Sequence, residues 1–158
     1  MLGDVVRYDA KSNLCAHRLI SQWSQNSQLI RLCPEVAAGL PTPRQPAEIK
    51  NGNGIDVLGG TSTVRLKNGK DITAAFIRGA ELALSLARKH HIEFALLKAN
   101  SPSCGNRAIY NGRFNGTLQP GSGVTTALLE ANGIQVFNEH QIEALALSIK
   151  MYKYNQTI

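Results

Sequence analysis

Two cysteines stand in settings that suit metal chemistry: Cys33 in Cys33-Pro34-Glu35, and Cys104 in Ser101-Pro102-Ser103-Cys104. A thiolate is a soft ligand, and each has proton-handling groups beside it, a carboxylate after Cys33 and two hydroxyls before Cys104. Cys33 and Cys104 are therefore candidate metal and cofactor ligands, and Glu35 and Ser101 candidate catalytic residues. Ser103 and Arg44 are candidate substrate contacts. Plainer alternatives stand beside these. Ser101 and Ser103 suit a turn around Pro102, while Glu35 suits a solvated loop position or a salt bridge to Arg44. Two thiolates do not close a metal site: iron–sulfur clusters commonly use four, or three where one iron stays open to substrate. Zinc completed by histidine fits less well, because none of His17, His90, His91 or His140 falls at a matching strand end.

The elements that must position these residues are read from hydrophobic spacing. Ala16, Leu19, Ile20 and Trp23 predict an amphipathic helix over 12–25, capped by Ser12 or Asn13, with Cys15 as a structural residue at the edge of its apolar stripe. Leu29-Ile30-Arg31-Leu32 predicts a strand ending at Cys33, where Pro34 stops it. Residues 37–54, with three prolines and three glycines, predict one long loop. A hairpin is expected over 61–73 around Asn68-Gly69, and another around Asn111-Gly112. An Ala- and Leu-rich helix is expected from Ile72 or Thr73 to His90, where His90 and His91 suit capping better than catalysis. Phe94-Ala95-Leu96-Leu97 predicts a buried parallel strand leading towards Cys104. A helix follows from the loop at Pro120-Gly121-Ser122-Gly123 to Gly133, then a strand at Ile134–Phe137 and a last helix from His140 to Tyr154.

Helices alternating with strands predict one α/β domain over 1–158, a three-layer α/β/α arrangement with a mainly parallel sheet and small hairpin insertions. Ligands of such sheets bind outside the carboxyl ends of the strands, and both Cys33 and Cys104 are expected there. No Gly-x-Gly-x-x-Gly follows a strand, so a nucleotide-binding loop is not indicated.

Composition narrows the partners. The formal charge of +6 and isoelectric point near 9.5 would suit an anion, but the Lys and Arg residues are dispersed and aromatics are few, which argues against nucleic acid. Three cysteines, Cys15, Cys33 and Cys104, make an odd, sparse set with no Cys-x-x-Cys, so a reducing, cytoplasmic compartment is expected. No stretch has the apolar length of a signal peptide or a membrane span.

Several segments resemble, in one order, domain of unknown function family 523. They are Leu2-Gly3 with Arg7-Tyr8-Asp9, Cys33-Pro34-Glu35-Val36, Gly39-Leu40-Pro41-Thr42-Pro43-Arg44 with Pro46-Ala47-Glu48, and Ser101-Pro102-Ser103-Cys104-Gly105. Gly116-Thr117-Leu118, Gly123-Val124-Thr125 and Gly133-Ile134 with Phe137-Asn138-Glu139 continue the match. Characterised members of this family are thiouracil desulfurases. The resemblance implies a 4Fe-4S cluster held by three cysteines, whose open iron takes sulfur from a small thiolated substrate without net redox change. It implies that Cys33 and Cys104 are two of the three ligands and that Glu35 and Ser101 handle protons and substrate.

The resemblance departs at the amino terminus. Family members carry a strand leading into Cys-Leu-Leu-Gly, whereas this sequence begins Met1-Leu2-Gly3, without that strand or the first cluster cysteine. Cys15 does not match the missing position. A start assigned too late, a natural truncation, or a different third ligand would each account for this. The rival to a desulfurase is a non-catalytic sulfur- or metal-binding module, or a degenerate paralogue without cluster, that keeps the scaffold and lacks turnover.

Overall fold

The computed structural model describes residues 9, 15 and 17–156. The expected cap at Ser12 or Asn13 and the motif residues Leu2, Gly3, Arg7 and Tyr8 lie outside them. The elements run α1 (Arg18–Gln25), α2 (Pro34–Ala37), β1 (Ala47–Lys50), α3 (Gly54–Leu58), β2 (Thr63–Leu66) and α4 (Thr73–Lys89). They continue with β3 (Phe94–Leu97), β4 (Ala108–Tyr110), β5 (Leu118–Pro120), α5 (Val124–Glu130), β6 (Gln135–Asn138) and α6 (Ile142–Asn155).

Three layers form around the parallel pair β3–β6, in register from Phe94 opposite Gln135 to Leu97 opposite Asn138. One face packs on α4 and α5, where Leu84, Ala87 and Leu129 meet Ile134, Val136, Ala95 and Leu97. Beyond it lies α6, whose Tyr152 meets Phe94 edge-on at 5.6 Å, with the Phe137 ring tilted at 51° to Phe94 and 6.4 Å away. The expected α/β fold class is thus what the structure shows. The remaining pairs, β1–β2 and β4–β5, are antiparallel.

The 17-residue helix α4 is the spine. Phe76, Gly79, Ala80, Ala83, Leu84 and Ala87 recur every three or four residues and are all buried, so one stripe faces inward along its length. Phe76 joins Ile49, Val57, Val64, Ile109 and Val124 in a second apolar cluster beneath β1, β2 and α3. Burying a side chain of that size stabilises by about 2–3 kcal/mol.

Four expectations are corrected. Residues 29–32 pair with no strand among the described residues, and Ile30 and Leu32 are 45% and 39% exposed there. The stretch 37–54 holds β1 and the start of α3, because Ala47-Glu48-Ile49-Lys50 matches β2 residue for residue and Asn53 caps α3 in a reciprocal box with Asp56. In the 61–73 hairpin the Asn68-Gly69 turn forms, with Leu66 and Lys70 joined across it, but the returning limb is a single bridge from Asp71 to Arg65. The Asn111-Gly112 hairpin has a wider connection than a two-residue turn, spanning 111–117 between β4 and β5. Among the described residues no helix is long and apolar enough to cross a membrane.

Candidate functional site

The site begins where β3 ends. Past Leu97 the chain leaves the sheet through Asn100, held at φ 64°, and turns at Ser101. The Ser101 hydroxyl oxygen accepts from the backbone N–H of Ser103 at 3.1 Å and of Cys104 at 3.2 Å, and the Gly105 N–H closes the turn on the Ser101 carbonyl at 2.8 Å. The turn reading of Ser101 is therefore real. With its oxygen occupied as acceptor, its own O–H stays available to donate.

Helix α5 docks end-on against this loop. Its first N–H groups have no partners inside the helix, and the loop carbonyls supply them: Val124 donates to Pro102 at 2.9 Å, and Thr125 to Ser103 at 2.8 Å. Thr126 Oγ1 donates to the Cys104 carbonyl at 2.8 Å. Such closeness needs Gly123, where a Cβ would stand 2.4 Å from the Ser103 carbonyl carbon and 2.8 Å from the Cys104 nitrogen.

Cys33 arrives differently. It is the N-cap residue of α2 and makes no side-chain capping bond, so its thiol is uncommitted to the helix. Pro34 occupies the first helical position, for which its fixed φ is suited, and is buried on α4. Here too a glycine allows the approach: a Cβ on Gly79 would stand 2.5 Å from the Pro34 carbonyl oxygen. Cys33 therefore enters a helix start and does not terminate a strand as expected.

Glu35, in the first turn of α2, is fixed by Arg44. Nη2 and Nε of Arg44 donate to Glu35 Oε2 at 2.7 and 3.0 Å, and Nη1 donates to the Pro41 carbonyl at 3.1 Å and to Thr42 Oγ1 at 3.3 Å. The Arg44 side chain is only 6% exposed. Expected as a substrate contact, Arg44 instead spends its fork on Glu35 and the loop that carries it. Ser103, also expected to touch substrate, is 1% exposed, with its hydroxyl 2.9 Å from Thr125 Oγ1.

Electrostatics draw the two arms into one site. The Cys104 thiol is pushed up to about 12, first by burial, then by the nearby negative charge of Glu35 and by Cys33. Hydrogen bonds from Ser103 and from the Lys98 backbone pull weakly the other way. Cys33, Glu35 and Cys104 thus come together, with Ser101 in the same turn as Cys104. The thiolate of Cys104 is thereby disfavoured, and a bound metal cation is what would stabilise it.

That donor set fits two corners of an iron–sulfur cluster, two soft sulfurs brought to one site. Among the described residues no group of three His, Cys, Asp or Glu side chains forms a metal site. Cys15, Cys33 and Cys104 are all free of disulfides.

Gly79 and Thr126 were not singled out from sequence, and Gly123 and Thr125 appeared there only in a matching segment, without a role at the site. A glycine inside an otherwise strong helical pattern is the signal that marks Gly79, because such a residue is kept for close packing. Gly123 carried a weaker one, the opening of a helix from a glycine-bearing loop.

A three-layer α/β protein with two thiols converging beyond the end of its parallel pair is a sulfur- or metal-handling protein in class. The chain belongs to the 2-thiouracil desulfurase family, whose model matches residues 1–141. It is 47% identical to the solved structure of the [4Fe-4S]-dependent thiouracil desulfidase TudS, with a TM-score of 0.87 over 95% of this chain and 93% of that one. The uncharacterised protein YbbK of Bacillus subtilis is 41% identical over 127 residues, 80% of this chain and 84% of the relative.

Proposed function

We propose that the protein is a desulfurase that exchanges the sulfur of a small thiolated base, such as thiouracil, for the oxygen of water. What supports this reading is Cys33 at the start of α2 beside the Arg44-held Glu35, facing Cys104 in the Ser101 turn closely enough for Glu35 and Cys33 to act on its thiol. Cys33 and Cys104 would hold two corners of a 4Fe-4S cluster, which when bound supplies an open iron as a soft Lewis acid for the departing sulfur. Water provides the oxygen, the sulfur leaves as hydrosulfide, and no electrons are gained or lost.

The chain's own residues divide the remaining work. Glu35, its carboxylate anchored on one oxygen by Arg44, takes a proton from the attacking water and returns it to the ring or the leaving sulfur. Ser101 donates its free O–H to the base and orients it. Ser103 and Arg44 reach the substrate indirectly, the first through Cys104 and the second through Glu35.

Anaerobic reconstitution with iron and sulfide tests this, using the 158-residue chain and a chain with a strand and a third cysteine added ahead of Met1. Cluster absorbance together with uracil and sulfide formed from 2-thiouracil is the expected result in the extended chain. A stable cluster with no sulfide released would overturn the enzyme reading in favour of a binding module. No cluster in either chain would remove the iron–sulfur reading altogether.

A further inference from the structure

The loop that carries Cys104 is held from a second side, by residues to which the proposed reaction assigns no part. The turn at 138–141, directly after β6, grips the loop on both of its flanks. On the entry flank, Glu139 accepts from the Ala99 N–H at 2.8 Å and from the Lys98 ammonium. On the exit flank, Asn138 Nδ2 donates to Asn106 Oδ1 at 2.7 Å. Asn106 Nδ2 in turn donates to Gln141 Oε1 at 2.8 Å and to the Val136 carbonyl at 3.0 Å. Gln141 Oε1 also takes the Asn138 N–H at 3.1 Å, and Asn138 Oδ1 takes that of His140 at 2.9 Å.

Asn138 is only 5% exposed, so an amide here is retained in the interior where an apolar side chain would need no partners. Its pairing opposite Leu97 puts it level with the last residue of β3, where the loop departs. The amides thus tie the loop's exit back to the strand end from which it left. Asn106 lies two residues beyond Cys104, so any slack in this tie reaches the sulfur almost directly.

We propose that the turn at 138–141 is a bracket that sets where Cys104 stands, with Asn106, Asn138 and Gln141 as positioning residues for the sulfur ligand. The inference deepens the desulfurase reading, and the consequence for iron rests on it. Its direct readout does not. Gln141 Oε1 only accepts, so Gln141→Glu preserves the bracket and Gln141→Leu breaks it.

The experiment measures alkylation of each cysteine by mass spectrometry in the reduced full chain. Asn138→Ala and Gln141→Leu should each speed Cys104 modification roughly tenfold, by making local opening of its loop easier, while Cys33 stays within about twofold. Gln141→Glu should match the parent protein. Val57→Ala, which loosens the distant apolar cluster, controls for general destabilisation and should leave the ratio of Cys104 to Cys33 rates unchanged. Equal acceleration of both cysteines, or none at Cys104, overturns the bracket. Iron uptake measured in parallel, in this chain and in one extended by a third cysteine, separates the two ideas: no iron in either defeats the cluster reading, and the thiol rates still decide the bracket.

Discussion

The two cysteine arms reach the same site by opposite means. The Cys104 loop is enclosed, with α5 against one side, the turn after β6 against the other, and the Ser101 hydroxyl inside it. Among the described residues, the Cys33 arm follows a segment outside the strand ladders, and its anchors include the seat of Pro34 on Gly79 and the Arg44–Glu35 pair. Among the described residues the Cys104 arm is thus the more heavily tied of the two. Assembly of a metal cluster suits that asymmetry, because a single rigid corner sets position while a compliant one absorbs the difference between empty and filled states.

The largest effect should come from the rigid side. Gly123→Ala drives a methyl group into three backbone atoms of the Ser103–Cys104 junction, the farthest only 2.8 Å away. Neither the loop nor α5 has room to yield. We expect a loss of roughly 3 kcal/mol and a fall in Tm of about 6–12 °C, read by thermal denaturation, with iron retention abolished. An unchanged Tm would show the loop to be as compliant as the Cys33 arm.

Arg44→Ala comes next and strikes the other arm. Glu35, 17% exposed, would lose its partner while staying mostly out of water, at a cost of about 2 kcal/mol. The desulfurase reading expects the rate of sulfide release to fall at least tenfold, with cluster absorbance retained, because Glu35 is freed and Cys33 is not removed. Loss of the cluster with retained turnover per iron would move Arg44 from proton handling to ligand positioning.

Gly79→Ala should separate stability from site geometry. Alanine gains about 1 kcal/mol over glycine inside a helix, which offsets most of the strain of pushing Pro34 aside. The four-residue α2 is a shorter element to displace than the loop and helix that meet at Gly123. Tm should therefore shift by only about 2–4 °C, while Cys33 is displaced and its alkylation rate changes selectively. A Tm loss as large as that of Gly123→Ala would erase the contrast between the arms.

How far the sequence announced this site follows from which interactions are local. The spacing of Phe76, Ala80, Ala83 and Ala87 foretold α4, and the apolar run at Phe94–Leu97 foretold β3, because one helix face and one buried strand leave their period in neighbouring residues. Cys33, Cys104 and Glu35 were legible from residue type and flanking polarity. The roles of Arg44 and Ser103 were not, since what each touches depends on folding: Thr125 lies 22 residues beyond Ser103. Cys33 was expected at a strand end because Leu29-Ile30-Arg31-Leu32 has strand-like composition, but composition cannot supply the neighbouring strand that a ladder needs. Pro34 followed by Glu35 was a legible helix start that the strand reading overrode.

The smallest effect should be found in the bracket's acid sensitivity, and it sharpens the contrast because only the Cys104 arm has such a carboxylate anchor to backbone. Burial alone would raise the Glu139 carboxyl, but hydrogen bonds from Lys98 and the Ala99 N–H outweigh it and hold the group below its ordinary value of 4.5. Around that pH the unfolded chain therefore binds more protons at this position than the folded one does. The stabilisation is complete above the ordinary value and is lost as pH falls through the lowered one. Asp71 is likewise lowered, by hydrogen bonds from Thr73, but it lies in the β2–α4 connection and remains in both proteins compared, so it cancels. Glu139→Gln should thus be less stable than the parent at pH 7, and the gap should close as both are taken towards pH 3. Hydrogen exchange at the Ala99 amide should lose protection in the variant at neutral pH, with no change in the β1–β2 pair. A stability gap that stays constant across this range would mean that Glu139 holds the strand end by shape alone and that its charge contributes nothing to the rigidity of the Cys104 arm.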